Sequence, residues 1–334
     1  MRVALVHDDL VQWGGAERVL LGLCEIYPDA PIFTSFYDRN NKSLSQLGQR
    51  KVITSFLQKI PGWRSMYKLL LPFYPIAFEQ FNFNGYDLVI SNTTRFAKSI
   101  ITKPETVHIC YCHTPPRFLW HFSGEGNFGL GEVLMSKLRL YDQVSAQRVD
   151  HFIAGSDNAR KRIKKIYRVD SKIVYPFVDL ERFKNIDTFD GGYFVVVGRQ
   201  NKYKRFDLAK EACKRQGFEL KIIDGSFSDE AVISVLAGCR ALIIPGEEDF
   251  GISSLEAQAL GKPVIAYRGG GALETVIEGK TGIFFNPASV ESLSKTLLLF
   301  NPDNFESANC RENARGFSKE NFIKNFKQTV ASLL

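Results

Sequence analysis

Two carboxylates stand eight positions apart in Glu248-Asp-Phe-Gly-Ile-Ser-Ser-Leu-Glu256, between an apolar run at 241–245 and an alanine-rich helical start at 257–260. A buried strand that ends in a glycine-bearing turn and then opens a helix aims backbone N–H groups beyond the sheet edge. Such a terminus favours anions, phosphate above all. Carboxylates beside an anion site do nothing for the phosphate itself, but they accept hydrogen bonds from hydroxyls on either side of it. Sugar, phosphate and ribose in that order make a nucleotide sugar. The same residues have plainer readings. Ser253-Ser-Leu-Glu256 fits a capping box, in which the glutamate caps its own helix. Glu248, beside Glu247 and Asp249, equally suits a solvated loop.

Four other segments carry related chemistry. Trp13-Gly-Gly-Ala-Glu17 follows the first apolar run and opens a helix; Gly14 and Gly15 let the backbone approach a diphosphate closely, or simply make a tight turn. In Gly198-Arg-Gln-Asn-Lys-Tyr-Lys-Arg205, Arg199 and Lys204 suit a pyrophosphate that gains charge as its bond breaks. His113-Thr-Pro-Pro-Arg117 puts a histidine at the carboxyl end of a strand, with prolines fixing the backbone after it. Gly269-Gly-Gly-Ala-Leu-Glu274 again joins a strand to a helix. Each has a structural explanation alone; together they offer one strand end to each part of one ligand. Gly124-Glu-Gly-Asn-Phe-Gly129 matches the dinucleotide fingerprint, but no strand leads directly into it and bulky aromatics precede it. It reads as a flexible loop at the cleft.

The elements that must position these residues alternate between short β-rich runs and amphipathic stretches, the pattern of a parallel α/β protein. In the first half the strands are expected at 3–7, 31–36, 87–91, 107–112 and 152–154. In the second half they are expected at 172–175, 194–197, 219–223, 241–245, 264–267 and 282–285. A Pro/Asp/Gly-bearing stretch from 176 to 192 separates the halves. Two open sheets facing each other would bind ligand between their carboxyl edges. At 334 residues, 45% hydrophobic and 24% charged, the chain can build two domains with full cores.

Composition narrows the function further. No apolar stretch approaches the ~18–20 residues of a membrane span; the best attempt, at 69–78, is broken by two prolines. The first strand starts almost at Met1, so no signal peptide is expected. Six cysteines show neither metal-ligand spacing nor a disulfide framework, and Cys110 and Cys112 read as core residues on a strand. A reducing, cytoplasmic setting is therefore expected. Net charge is +7. From 40 to 78, Lys42, Arg50, Lys51, Lys59, Arg64 and Lys68 occur with no acid, interleaved with Trp63, Met66, Tyr67, Leu69 and Phe73. This suits an anionic membrane surface, or a solvated helical hairpin whose aromatics belong to the core. The basic run at 160–168 reads as one charged helix face, and no nucleic-acid motif accompanies the charge.

In combination these residues resemble the family-4 retaining glycosyltransferases of the GT-B fold. The resemblance rests on His7-Asp8 with Gly14-Gly15, His113-Thr114-Pro115, Pro176 and Val178-Asp179, and Gly198-Arg199 with Lys204-Arg205. It continues through Glu248 and Glu256, then Gly270, Glu274, Val276, Gly279 and Thr281-Gly282, so it covers the chain to about residue 330. The stretch from Tyr111 to Pro115, Arg117, and the stretch from Glu247 to Gly251 are similar to a bacterial branch that builds O-antigen and exopolysaccharide, often from GDP-mannose. The resemblance implies two facing Rossmann-like α/β domains with a deep inter-domain cleft. Residues 1–175 would be the acceptor side and 176–315 the nucleotide-sugar domain, with a helix at 316–334 packing back toward the first.

It also implies roles. Glu248 would contact donor-sugar hydroxyls, with the backbone of Phe250, Gly251 and Ile252 and with Ser253 nearby. Glu256 would accept the ribose hydroxyls. Arg199 and Lys204 would hold the diphosphate with Gly14 and Gly15, and His113 would lie against the donor sugar. Asp8 and Arg117 would face the acceptor. No metal or other cofactor is implied, because Arg and Lys take over what a divalent ion does elsewhere. Glu248 and Glu256 meet different ends of the donor, unlike the ~5–5.5 Å carboxylate pair of a retaining glycosidase, so same-face displacement is the implied path. The expected activity moves a hexose, mannose favoured, to a saccharide or a lipid-linked saccharide at the inner face of the plasma membrane.

One departure matters. Where relatives continue past the strand at 219–223 with a further βα unit, this chain crosses directly from 224 to 230, so about one unit is missing near 224–228. That leaves guanine against uracil open. It also leaves two alternatives: a degenerate GT-B protein that binds nucleotide or glycan without turnover, and a sugar-nucleotide epimerase. Oligomeric state leaves no trace in the sequence.

Overall fold

Apolar runs with no polar face belong to strands covered on both sides, as in a parallel sheet flanked by helices. The computed structural model describes residues 1–67, 69–120, 122, 131–224 and 227–334. Lys68 and the glycine match at 124–129 lie outside the described residues. The chain divides into two units. The described residues of the first fall within 1–122, 131–175 and 322–334, and those of the second within 176–321.

Among the described residues, the first unit has seven parallel strands: β1 (Val3–His7), β2 (Ile32–Thr34), β3 (Val52–Thr54), β4 (Leu88–Thr93), β5 (Val107–Cys112), β6 (His151–Ala154) and β7 (Ser171–Ile173). Their order is β3-β2-β1-β4-β5-β6-β7. The order reverses between β1 and β4, and ligands of open α/β sheets bind at the carboxyl ends beside such a reversal. His7 lies opposite Asn92 there, in register. The helices are α1 (Gly15–Ile26), α2 (Trp63–Met66), α3 (Tyr74–Glu79), α4 (Arg117–Trp120), α5 (Glu132–Ala146) and α6 (Asp157–Tyr167).

Three details differ from the sequence reading. Ser171–Ile173 is an edge strand of the first sheet, paired with β6, rather than a member of the second-half set. Val52–Thr54 is a strand inside a segment read as helical hairpin or membrane surface. Its described residues form no long helices. Gly48 (φ 63°) and Gly62 (φ 71°) take left-handed turns, and Pro61, Pro72 and Pro75 interrupt it. Only 3-10 turns, β3 and the short α2 and α3 remain. Its aromatics divide between inside and outside. Trp63 stacks on Phe36 with centroids 4.8 Å apart, and Tyr74 and Phe78 are buried. Leu69, Phe73 and Ile76 stay 63%, 49% and 57% exposed.

A charged hub sits in this core. Lys98, in the 3-10 turn Ala97–Ser99, and Asp142 of α5 are ion-paired with both side chains wholly inaccessible. Trp120 Nε1 and Tyr167 OH also donate to Asp142, at 2.8 and 2.9 Å. One carboxylate thereby joins α4, α5, α6 and the turn after β4.

Among the described residues, the second unit has five parallel strands: β8 (Tyr193–Val197), β9 (Glu219–Ile223), β10 (Cys239–Ile244), β11 (Val264–Tyr267) and β12 (Gly282–Phe285). Their order is β12-β11-β10-β8-β9, reversing between β8 and β10. Around it run α7 (Phe206–Gln216), α8 (Asp229–Ala237), α9 (Ile252–Ala259), α10 (Ala272–Thr275), α11 (Val290–Leu299) and α12 (Ser307–Gly316). Apolar clusters cover both faces of the sheet. β9 ends at Ile223 and α8 begins at Asp229; Gly225 and Ser226 lie outside the described residues. The last helix, α13 (Lys319–Ala331), brings Phe322 and Phe326 against Tyr111 of the first unit's β5, each with ring centroids 6.2 Å apart. Among the described residues, no helix is long and apolar enough to cross a membrane.

Candidate active site

In the second unit the site is built at the β8/β10 reversal. Lys204, in the 3-10 turn Lys202–Lys204 after β8, places Nζ 2.7 Å from Glu248 Oε1, in the loop after β10. Each side chain is 14% exposed. Burial pulls the Lys204 ammonium toward neutrality and Arg199 adds to that pull, but the charge and hydrogen bond of Glu248 outweigh both and raise its pKa. The lysine is therefore held as a cation. Arg199 is exposed just after β8.

Close backbone approach holds this loop in place. A Cβ on Gly246 would meet Tyr203 O at 1.9 Å, and one on Gly271 would meet Phe250 Cα at 2.3 Å. Gly271 N also donates to Glu248 O at 2.9 Å. The triple glycine after β11 thus packs against the backbone of the Glu248 loop, a role that its position after a strand does not reveal.

The loop delivers its chain into α9. The N-cap of α9 is Gly251, in a left-handed conformation at φ 90°, with Phe250 buried just before it and Ile252 and Ser253 in the first turn. The cap lies two residues ahead of Ser253, so the capping-box spacing does not coincide with the helix start. Arg182 Nη1 instead donates to Glu256 Oε1 at 2.9 Å, and its Nη2 lies 3.2 Å from Asp229 Oδ2. Arg182 escaped the sequence reading, although it stands shortly after the matched Val178-Asp179 pair.

In the first unit, His113 ends the β5 segment and its Nε2 lies 2.7 Å from Asn92 Oδ1, on β4. Asn92 Nδ2 donates to Ala16 O at 2.8 Å and contacts His7 Nδ1 at 3.1 Å. One amide therefore links His113 to the start of α1, where Gly14 is the N-cap and Gly15 the first residue. His7 is buried beside Glu17. Burial lowers its pKa, but Glu17, with Asp8 and Asp9, leaves it raised overall. Asp8 is buried with both oxygens engaged. They accept from Thr94, Arg95, Phe96 and Ala97 N–H groups at 2.6 to 2.9 Å and from the Thr93 hydroxyl at 3.0 Å. It holds the turn after β4. Arg117 opens α4 and is buried. Among the described residues, no three His, Cys, Asp or Glu side chains form a group suited to a metal ion.

Residues 13–182 match the model of Glycosyltransferase Family 4, and residues 180–317 match that of Glycosyl transferases group 1. The chain belongs to glycosyltransferase family 4. It is 40% identical to the alpha-1,3/1,6-mannosyltransferase ALG2 of Dictyostelium discoideum over 30% of this chain and 24% of that protein. It is 24% identical to the ALG2 enzyme of Schizosaccharomyces pombe over 84% of this chain and 70% of that one. Among solved structures, sucrose-phosphate synthase from Thermosynechococcus elongatus has a TM-score of 0.74 at 15% identity, covering 100% of this chain and 99% of its own. Anabaena HepE, solved with UDP and glucose, has a TM-score of 0.68 at 17% identity, covering 98% and 99%. These likenesses and the two parallel-sheet units are those of a GT-B glycosyltransferase.

Proposed function

We propose that this family-4 chain is a retaining hexosyltransferase that moves a sugar, mannose favoured, from a nucleoside diphosphate sugar to a saccharide or lipid-linked saccharide, without a metal ion. The observation that carries this reading is the Lys204–Glu248 contact at the β8/β10 reversal. It sets a cation suited to a leaving phosphate against a carboxylate suited to sugar hydroxyls. The names of the ALG2 relatives support mannose as the sugar; the UDP bound to HepE keeps the base open between guanine and uracil.

In this reading an acceptor hydroxyl attacks the anomeric carbon from the face that the phosphate leaves. The anomeric carbon–phosphate oxygen bond breaks, the new glycosidic bond forms, and a departing phosphate oxygen takes the hydroxyl proton. Arg199 and Lys204 stabilise the charge that develops on the diphosphate, which is the most effective use of fixed cations. Gly14 and Gly15 receive the diphosphate at the start of α1. Glu248, with the Phe250, Gly251, Ile252 and Ser253 backbone, orients the sugar, and His113 lies against it. Glu256 takes the ribose hydroxyls, steadied by Arg182. Asp8 acts on the acceptor side by holding the turn after β4, and Arg117 flanks it.

A panel of nucleotide sugars assayed with EDTA present tests the proposal. Slow release of GDP or UDP is the expected result and identifies the base. Binding without release would establish a non-catalytic module, and isomerised donor would establish an epimerase; either outcome sinks the proposal.

A lipid-linked acceptor gives the segment from 40 to 78 a purpose at the inner face of the plasma membrane. Its exposed Leu69, Phe73 and Ile76 accompany exposed Lys42, Lys51 and Lys59, whereas Arg64 is paired with Asp38. Exposed apolar side chains and exposed lysines within one segment suit anionic headgroups. Co-sedimentation with vesicles should rise with their phosphatidylglycerol content, and indifference to it would remove the membrane reading.

A further inference from the structure

The geometry points to Asn92 as a positioning residue that holds His113 in the tautomer protonated at Nε2 and so fixes the ring that meets the donor sugar. This inference rests on the proposed role of His113 at the sugar. Ala16 O, 2.8 Å from the Asn92 amide, is a backbone carbonyl and can only accept, so the Asn92 –NH2 group must face it. Oδ1 then faces His113, and a contact of 2.7 Å with a carbonyl oxygen requires a proton on His113 Nε2. In the neutral ring the lone pair is left on Nδ1.

His7 Nδ1 lies 3.1 Å from Asn92 Nδ2 and 3.2 Å from the Asn92 backbone carbonyl oxygen, so His7 packs directly on the residue that holds His113. His7 Nε2 lies 3.6 Å from Glu17 Oε1. Glu17, His7, Asn92 and His113 are thus contiguous, and the first three are buried, with Asn92 wholly inaccessible. His113 itself is half-buried, with its ring edge-on to Tyr111 at 5.0 Å. Strand register makes the arrangement rigid, because His7 and Asn92 are opposite partners on β1 and β4. Asn92 also spans from His113 to the backbone just after Gly14 and Gly15. The ring that meets the sugar and the turn that meets the diphosphate therefore share one side chain, and a donor must fit both at a fixed separation.

Long-range proton–nitrogen spectra of the imidazoles test this, with the His113 ring assigned through His113→Gln. In the native protein, His113 should be a single tautomer protonated at Nε2. In Asn92→Ala it should become a mixture, with kcat for donor turnover lower on the order of 10–100-fold, as for other residues that orient a ligand-binding histidine. KM should change much less. A native ring protonated at Nδ1, or a tautomer unaltered in Asn92→Ala, would overturn the inference. The native spectrum decides this even where a variant folds poorly. Failure of the underlying functional reading shows separately: full transfer by His113→Ala removes the ring from the reaction, whatever its tautomer.

Discussion

Glu248→Ala and Lys204→Ala are each expected to reduce transfer by roughly 10²-fold or more, the usual cost of removing one preorganised charge from a group-transfer site. The structure adds a reason to treat them as a unit. Lys204 Nζ and Glu248 Oε1 are 2.7 Å apart, so each side chain is aimed by the other as well as by its loop. Removing either leaves a largely buried partner without its counter-charge. In Glu248→Ala, burial and Arg199 act on Lys204 with the main opposing influence gone, and the lysine pKa should fall. The variant should then lose diphosphate binding at a lower pH than the native chain does, because the cation deprotonates sooner as pH rises. The double variant should fall well short of the product of the two single losses, since residues acting together are not additive. Donor turnover by the purified variants across pH, with circular dichroism to confirm folding, measures all of this. Near-native turnover in either single variant would refute its assignment.

The fold class was legible because it depends on patterns that single strands carry. Runs such as those at β1 and β8 are apolar on both faces, and each is followed by a glycine-bearing turn. The Glu248–Glu256 spacing and Arg199 with Lys204 were already visible as residues able to hold a nucleotide sugar; family resemblance added their separate roles, at positions after β8 and β10 of one sheet. β3 escaped because a three-residue, half-buried edge strand has no period to detect, whereas β7 was expected as a strand at 172–175 and only its sheet was misassigned, since pairing with β6 leaves no local signal. The segment from 40 to 78 looked helical because its apolar spacing is helix-like, while its glycines and prolines prevent a helix longer than six residues within it.

Roles created by tertiary pairing were not legible at all. Arg182 meets Glu256 across 74 positions, and Asn92 meets His7 across 85. Neither lies in a motif that names its partner. The triple glycine at 269–271 was visible as a glycine cluster, but what it approaches, the backbone of residues 248 and 250, depends on how β10 and β11 lie side by side. Glycine spacing reports that something comes close. It does not report whether that is ligand or chain.

Asp142→Ala should destabilise the first unit by about 3–5 kcal/mol, the range for breaking a buried ion pair from one side. The loss exceeds that of one contact. Lys98 would be left without its counter-charge and without access to water, with the Phe96 and Tyr167 rings 5.8 and 5.2 Å away. Trp120 Nε1 and Tyr167 OH would lose their acceptor as well. Replacing both members by apolar residues, as in Lys98→Met with Asp142→Leu, should recover much of the loss, because it removes the stranded charge. Urea unfolding of the three proteins measures this, and an Asp142→Ala midpoint close to that of the native chain would mean that the hub does not hold the core. The consequence reaches the site through α4. Arg117 begins that helix and Trp120 ends it, only four residues after His113-Thr-Pro-Pro. Once Trp120 is released from Asp142, the segment that fixes His113 loses one attachment to α5 and keeps the bond from Arg139 Nε to Leu119 O at 2.6 Å. Asp142→Ala should therefore lower transfer even at temperatures where the variant remains folded, and a variant with native activity under those conditions would confine the hub to stability alone.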